Sequence, residues 1–384
     1  MVTSKLKLLA AALATAGLLA ACGGGGGADT TPKAKVTSVK VMGDSLSDSG
    51  TFGFKFTVQG NDPTTGKPYQ VWTERIAGLY NTTLCPHYGP TMAVATASCT
   101  NYAIGGATFS PQGAAAATAM SIYNQIKDAG AAGVTADDLI LIDGGANDAA
   151  DLITAVLTYQ AKVAAGVPQA TAIVPLQTFL LTQIDAATLG ALLAQGSDGL
   201  VKAGGLYMQT LAKKLTAAVQ TNLLGKGATR VAILNIPAIS MTPKFTKVLT
   251  QIANAQGAAA SAQAGALLDG WVNAFNAALS DSAGTESRIA VVDFYTEFKG
   301  QISNPAQYNF TNSTVAACGL LSANANENIQ YCSADALSAA IPVGETSADW
   351  WKHYVFANDF HPTPYGYQQM SLLVSRTLAQ KGWL

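Results

Sequence analysis

Two residues at opposite ends of the sequence, Ser45 and His361, have the surroundings that nucleophilic catalysis requires. Ser45 comes directly after an apolar run, in the segment GDSLSDSG at 43–50. A serine hydroxyl needs a base within hydrogen-bonding distance, a group that orients this base, and donors for the developing oxyanion. His361 has a carboxylate close by, in the segment ANDFHPT at 357–363. The pair therefore predicts acyl transfer with Ser45 as nucleophile and His361 as general base.

Each member of the pair also has a structural interpretation. The segment that contains Ser45 is compatible with a capped turn between a strand and a helix, in which Asp44 or Ser45 is the N-cap. The other histidines lack a catalytic context, because His87 lies in a cysteine-containing loop and His353 in the aromatic run WWKHY. The nucleophile elbow G-x-S-x-G is absent from the sequence, which disfavours the α/β-hydrolase layout.

The segment GDSLSDSG and three further segments resemble the conserved blocks of the GDSL (or SGNH) hydrolase family. The three further segments are NYAIGGA at 101–107, GAND at 145–148 and DFHPT at 359–363, in the order of the family. The four blocks span residues 43–363. The resemblance implies a three-layer α/β/α, flavodoxin-like fold with a central parallel sheet. It also implies an esterase or lipase activity on acyl esters, without a cofactor or a metal ion.

The resemblance assigns a role to each block. Ser45 attacks the ester carbonyl, and His361 takes its proton and later protonates the leaving alcohol. The oxyanion is held by the backbone N–H groups of Ser45 and Gly106 and by the side-chain amide of Asn147. Glycine at 106 allows the backbone to approach the substrate closely. Asp48 and Asp148 are expected to hold turns.

The acid of the triad is where the sequence departs from the family. The family places it three residues before the histidine, but position 358 is Asn and the nearest carboxylate, Asp359, is two residues before. Residues two apart share a face in an extended segment. We therefore predict that Asp359 orients His361, with Asn358 or a backbone carbonyl as the alternatives.

The elements that must position these residues follow from the hydrophobic pattern. Continuous apolar runs end in Gly, Asp or Pro and alternate with long Ala-rich stretches of helical spacing, which predicts a parallel sheet covered on both faces. Ligands bind beyond the carboxyl ends of such strands, and the polar motifs lie there. The pattern predicts strands at 36–42, 102–104, 139–142, 231–236 and 289–292, and helices at 206–224, 245–279 and 366–380.

The N-terminus predicts export. Residues 1–21 carry two lysines followed by an apolar run that is too short to span a bilayer, as in a signal peptide. The run ends in LAAC, which resembles the bacterial lipobox and predicts lipidation of Cys22, an incidental cysteine being the alternative. A glycine-rich tether at 22–35 then leads to a single domain at 36–384. Gly23 directly after the cysteine favours the outer membrane or cell surface.

The remaining cysteines are even in number, as expected for disulfides in an oxidising compartment. They permit three connectivities, of which the local one would stabilise each loop by about 3 kcal/mol in the chain-entropy model. Metal binding is the weaker alternative, because no C-x-x-C pair exists. The local connectivity joins Cys85 to Cys99 and Cys318 to Cys332.

The composition limits the classes of binding partner that the sequence suggests. Charged residues make up 12% of the chain and the formal net charge is −1, so no basic patch indicates nucleic acid. We expect a small-molecule or lipid acyl ester as substrate and a membrane contact through the lipid anchor. A metal site at Asp143, Asp148 and Asp151 is disfavoured because no histidine lies nearby. An acyltransferase on the same scaffold and a non-catalytic surface binding protein are the alternative functions.

Overall fold

The structure, a computed structural model, describes residues 35–324 and 327–384. Its centre is a parallel sheet whose strands lie in the order β1-β2-β3-β4. All residues of β2 and β3 are buried, because helices cover both faces of the sheet. The strand bounds are β1 Ser38–Met42, β2 Asp138–Ile142, β3 Val231–Leu234 and β4 Ile289–Val292.

The segment expected to form a strand at 102–104 lies beside β1 but pairs with it only locally. The backbone N–H of Tyr102 donates to Val41 at 2.8 Å, and that of Ile104 donates to Gly43 at 3.2 Å. This segment therefore lies at the outer side of β1, away from β2. Counting it as a fifth strand gives the flavodoxin-like order 2-1-3-4-5.

Two layers of helices enclose the sheet, and alternate side chains of β2 divide between them. Leu139 and Leu141 pack in a core with α1, α10 and α12, whereas Ile140 and Ile142 pack in a core with α2, α3, α7 and α9. The predicted α/β class with a covered parallel sheet is thereby confirmed. The helices are α1 Trp72–Leu79, α2 Ile122–Ala132, α3 Ala146–Ala164, α4 Gln169–Ala172, α5 Val174–Leu180, α6 Ala186–Leu193, α7 Ser197–Asn222, α8 Pro243–Gln256, α9 Ala258–Ala283, α10 Phe294–Ser303, α11 Ala334–Ala339 and α12 Pro364–Gln380.

The helix expected at 245–279 is two helices. Gly257 lies between α8 and α9 with φ +90°, a conformation that glycine adopts without the Cβ penalty of other residues. The Ala-rich sequence on both sides has helical spacing throughout, so the pattern alone did not locate the break.

The segment before His361 forms a small substructure of its own. Strand β5 (Asn312–Ala316) pairs in parallel with β6 (Tyr354–Phe356), and the disulfide Cys318–Cys332 packs in a separate apolar cluster with Trp350 and Trp351. The structure contains both local disulfides, with Cα–Cα distances of 5.1 Å for Cys85–Cys99 and 5.5 Å for Cys318–Cys332.

In the described ranges, no helix is both long and apolar enough to cross a membrane. The predicted signal peptide at 1–21, the lipidated Cys22 and nearly all of the tether lie outside the described residues.

Candidate active site

The structure brings Ser45 and His361 together at the carboxyl edge of the sheet. The Ser45 hydroxyl donates to His361 Nε2 at 2.7 Å, across a sequence separation of 316 residues. Ser45 follows the end of β1, and His361 lies in the loop between β6 and α12. The nucleophile and base of a serine hydrolase require this direct hydrogen bond.

Ser45 lies in a hydrogen-bonded turn, and not at the N-cap of a helix, which was the alternative interpretation of this segment. The backbone N–H groups of Ser47 and Asp48 donate to the Asp44 carbonyl, each at 3.1 Å. The Asp48 carboxylate then accepts the N–H groups of Gly50 at 2.8 Å and Thr51 at 2.7 Å. A side chain that captures these donors competes with continuation of a helix, and α1 begins only at Trp72.

Two buried amide side chains fix the backbone of this turn. Gln125 of α2 accepts the N–H of Gly43 at 2.8 Å and donates to the Gly43 carbonyl at 3.1 Å. Asn101 donates to the Ser47 carbonyl at 2.8 Å. The sequence did not single out Gln125 as a site residue. The only sequence signal for this role is that a glutamine lies on the apolar face of a helix. A fully buried amide at such a position needs polar partners.

The His361 imidazole is oriented by Asn358. The side-chain oxygen of Asn358 accepts from His361 Nδ1 at 2.9 Å. The same oxygen accepts the backbone N–H groups of Phe360 at 3.0 Å and His361 at 2.8 Å. These backbone donors identify the contacting atom as the amide oxygen, so Nδ1 carries the proton. Nε2 is therefore free to accept from Ser45.

The structure corrects the assignment of Asp359 as the residue that orients His361. The expectation assumed an extended segment before His361, whereas Asn358 closes a tight turn in which residues three apart come together. The Asp359 carbonyl instead accepts the backbone N–H of Lys244 at 2.9 Å. Burial raises the pKa of the half-buried Asp359 carboxyl, and the charge of Glu327 raises it further.

Burial also controls the protonation of the base. It lowers the pKa of His361 to about 3, and the positive charge of Lys244 adds to this effect. The ammonium group of Lys244 lies 4.8 Å from the centre of the Phe360 ring, next to His361 in sequence. A neutral imidazole is the form that can accept the Ser45 proton.

The residues expected to form the oxyanion hole lie beside the nucleophile turn. Gly106 has φ +81°, a conformation that favours glycine. Asn147, in the first turn of α3, donates from its side chain to the Ala107 carbonyl at 3.0 Å and to the Asp44 carboxylate at 3.4 Å. Asn147 thus lies between the two turns. The Asp48 carboxylate joins the same turns by accepting the N–H of Gly105 at 2.8 Å.

Asp148 holds the loop that follows Gly106, the structural role that the sequence indicated. Its carboxylate accepts the N–H groups of Phe109 at 2.9 Å and Ser110 at 3.0 Å. Burial raises the pKa of Asp148 to about 7. Within the described residues, no group of three or more His, Cys, Asp or Glu is arranged to hold a metal ion.

An apolar cavity opens beside the Ser45–His361 pair. On another side of His361, the ring of Phe56 lies 5.1 Å from the imidazole, and Phe52 and Phe54 form a row of aromatic contacts with it. The cavity is lined mainly by Leu46, Ala146, Pro237, Ile239, Phe294, Phe298, Phe356 and Phe360.

A doubly wound α/β sheet with a serine–histidine pair at its carboxyl edge has the arrangement of an SGNH-type serine hydrolase. Residues 203–374 match the family model of the GDSL-like Lipase/Acylhydrolase, so this part of the chain is similar to that family. The matched range contains His361 and Asn358, and the hydrogen bond described above connects it to Ser45. No curated protein matches the chain. The family supports a lipase or acylhydrolase type of function.

Proposed function

We propose that the protein is a carboxylic ester hydrolase that works through an acyl-enzyme on Ser45. The observation that carries this proposal is the 2.7 Å hydrogen bond from the Ser45 hydroxyl to Nε2 of His361, whose other ring nitrogen is anchored on Asn358. In this arrangement, Ser45 Oγ attacks the ester carbonyl carbon while its proton passes to His361 Nε2. The negative charge moves to the carbonyl oxygen.

The oxyanion hole consists of the backbone N–H groups of Ser45 and Gly106 and the side-chain amide of Asn147. The tetrahedral intermediate collapses by breaking the bond to the alkoxy oxygen, which leaves as the alcohol with the proton from His361. Water then attacks the acyl-enzyme, again with His361 as base, and releases the carboxylic acid and free Ser45. Donors aimed at the developing charge lower the barrier of both steps.

The direct test combines labelling and turnover. A fluorophosphonate probe should label the protein at Ser45, and a series of p-nitrophenyl esters of increasing acyl length should be hydrolysed. Ser45→Ala should abolish both. Ser49→Ala is the matched control, because Ser49 lies in the same segment but has no hydrogen bond to His361. Turnover that persists in a folded Ser45→Ala protein would contradict the assignment.

Two alternatives remain open to experiment. An acyltransferase would use the same acyl-enzyme but form product in proportion to an added acceptor alcohol. A non-catalytic surface binding protein would show neither labelling nor turnover. The Ser45–His361 hydrogen bond supports an enzyme over a binding protein.

We also propose that residues 1–21 are a lipoprotein signal peptide, that Cys22 is lipidated, and that a tether at 22–35 joins it to one hydrolase domain at 36–384. The two disulfides are consistent with export. Outer-membrane or cell-surface location follows from this proposal. Mass spectrometry of the mature N-terminus should find a diacylated cysteine, and Cys22→Ser should release the protein from the membrane fraction.

A further inference from the structure

Two buried aspartates meet directly behind the nucleophile. Asp44 precedes Ser45 and is 2% exposed, and Asp143 follows β2 and is 3% exposed. Asp143 is joined to the turn that contains Asp44, because one of its carboxylate oxygens accepts from the Ser47 hydroxyl, and the two carboxyl groups affect each other's pKa. Gly43 allows this approach, because a Cβ there would lie only 1.8 Å from the Asp143 carboxylate.

The hydrogen bonds of the two carboxyl groups require a proton between them. Asp44 accepts from the Leu46 N–H at 3.0 Å and from Asn147 at 3.4 Å. One oxygen of Asp143 accepts from the Ser47 hydroxyl, but the other has no donor among the described residues. Buried polar atoms are nearly always paired, and two carboxylates in contact cannot both be ionised at low cost. A proton on this oxygen of Asp143, donated to Asp44, satisfies both groups.

The surroundings of the pair favour retention of this proton. The other acid on the nucleophile turn is Asp48, whose charge raises the pKa of Asp44. The buried hydroxyl of Tyr367 in α12 donates to the Phe56 carbonyl at 3.1 Å. The side chains from α2 and α3, Gln125 and Asn147, are neutral amides. Burial raises the pKa of Asp143 well above its usual value, and the charge of Asp44 raises it further. Burial raises the pKa of Asp44 to about 6.

We propose that Asp143 is a positioning residue that keeps a proton at neutral pH and, through its hydrogen bond to Asp44, holds the nucleophile turn and the Asn147 amide in place. This role in catalysis rests on the ester hydrolysis proposed above; the protonated acid itself does not. Loss of the proton would put two negative charges beside Asn147, the amide that must donate to the oxyanion. Activity therefore falls when Asp143 ionises at alkaline pH.

The protonated acid can be observed without any turnover. Infrared difference spectroscopy at about pH 8.5 should detect the carbonyl band of a protonated carboxylic acid, because at this pH Asp44 and Asp148 are ionised. The band should be present in the wild type and in Ser45→Ala and absent in Asp143→Asn. Asp138→Asn is the matched control, since Asp138 is buried at the other end of β2, and this change should leave the band unaltered.

Kinetics tests the positioning role. Asp143→Leu should lower kcat by about 10- to 100-fold, less than the loss of a complete oxyanion donor, with KM unchanged. Asp143→Asn should restore most of the lost kcat, because an amide can donate to Asp44 and accept from Ser47. It should also remove the alkaline fall in kcat.

The outcomes separate the two proposals. Absence of the band in the wild type would overturn the shared proton. An alkaline fall that is identical in wild type and Asp143→Asn would overturn the positioning role. A protein with the band but without esterase activity would contradict the proposed function and leave the proton assignment intact.

Discussion

The side-chain oxygen of Asn358 accepts a hydrogen bond from His361 Nδ1 at 2.9 Å, while the Ser45 hydroxyl donates to Nε2 of the same ring at 2.7 Å. An amide therefore stands where the family usually has a carboxylate. An amide can hold the imidazole in the productive tautomer, as in the Cys-His-Asn arrangement of papain-like proteases. It carries no charge to stabilise the imidazolium.

Removal of the amide should weaken catalysis more than changes at the neighbouring acid. Asn358→Ala should lower kcat by about 10- to 100-fold, below the roughly 10⁴-fold loss known for replacement of a triad aspartate. Asp359→Asn should change kcat by less than about twofold, because Asp359 does not contact the imidazole. Steady-state kinetics on a p-nitrophenyl ester measures both. The reverse order would restore Asp359 as the orienting group.

A carboxylate at position 358 should change the pH profile. Asn358→Asp places a negative charge at Nδ1, which favours the imidazolium and raises the pKa of His361 from about 3. The acid limb of kcat/KM should therefore move to higher pH, and NMR titration of the imidazole nitrogens should show the same movement. Lys244→Met should also raise this pKa, because it removes a positive charge. An unchanged His361 titration in both variants would contradict the electrostatic account.

The oxyanion assignment predicts an effect on turnover and not on labelling. Asn147→Ala should lower kcat by about 10²–10³, the usual cost of one oxyanion donor, while a fluorophosphonate should still react with Ser45, more slowly. The matched control is Asn124→Ala, which removes an amide of α2 that donates to the Thr118 carbonyl at 2.8 Å and should leave kcat unchanged. A larger effect on KM than on kcat in Asn147→Ala would indicate a role in substrate binding instead.

The sequence predicted the parallel sheet, its carboxyl edge and the pairing of Ser45 with His361, because apolar strand patterns and short motifs are local signals. The sequence did not predict the features of the site that depend on tertiary contacts. The choice between Asn358 and Asp359 depends on which side chain caps the turn before His361. No local pattern marks the hydrogen bonds between Gln125 and Gly43 or the pairing of Asp44 with Asp143. Each of these joins segments that are far apart in the sequence.

Burial of Asp44 predicts a contribution to the free energy of unfolding that is larger at acidic than at neutral pH. Its pKa rises from 3.8 to about 6 on folding, mainly through desolvation. Between these values the folded state binds more protons than the unfolded state, so the contribution is complete below about pH 4 and is lost as pH rises through 6. A difference of about two pKa units corresponds to about 3 kcal/mol. Asp148, with its pKa raised to about 7, and Asp143, with its pKa raised well above its usual value, act in the same direction. His361, with its pKa lowered to about 3, acts in the opposite direction.

Guanidinium denaturation at a series of pH values measures this dependence. The free energy of unfolding should decrease between about pH 4 and pH 7 in the wild type, and Asp44→Asn should flatten the part of the decrease centred below pH 6. Asp148→Asn should flatten the part at higher pH. Asp138→Asn is again the control, because that carboxylate is paired with Lys40 at 3.6 Å and should leave both parts in place. If the free energy of unfolding of Asp44→Asn changed with pH as steeply as that of the wild type, Asp44 would be stabilised as a carboxylate, with the backbone donor at Leu46 outweighing the cost of burial.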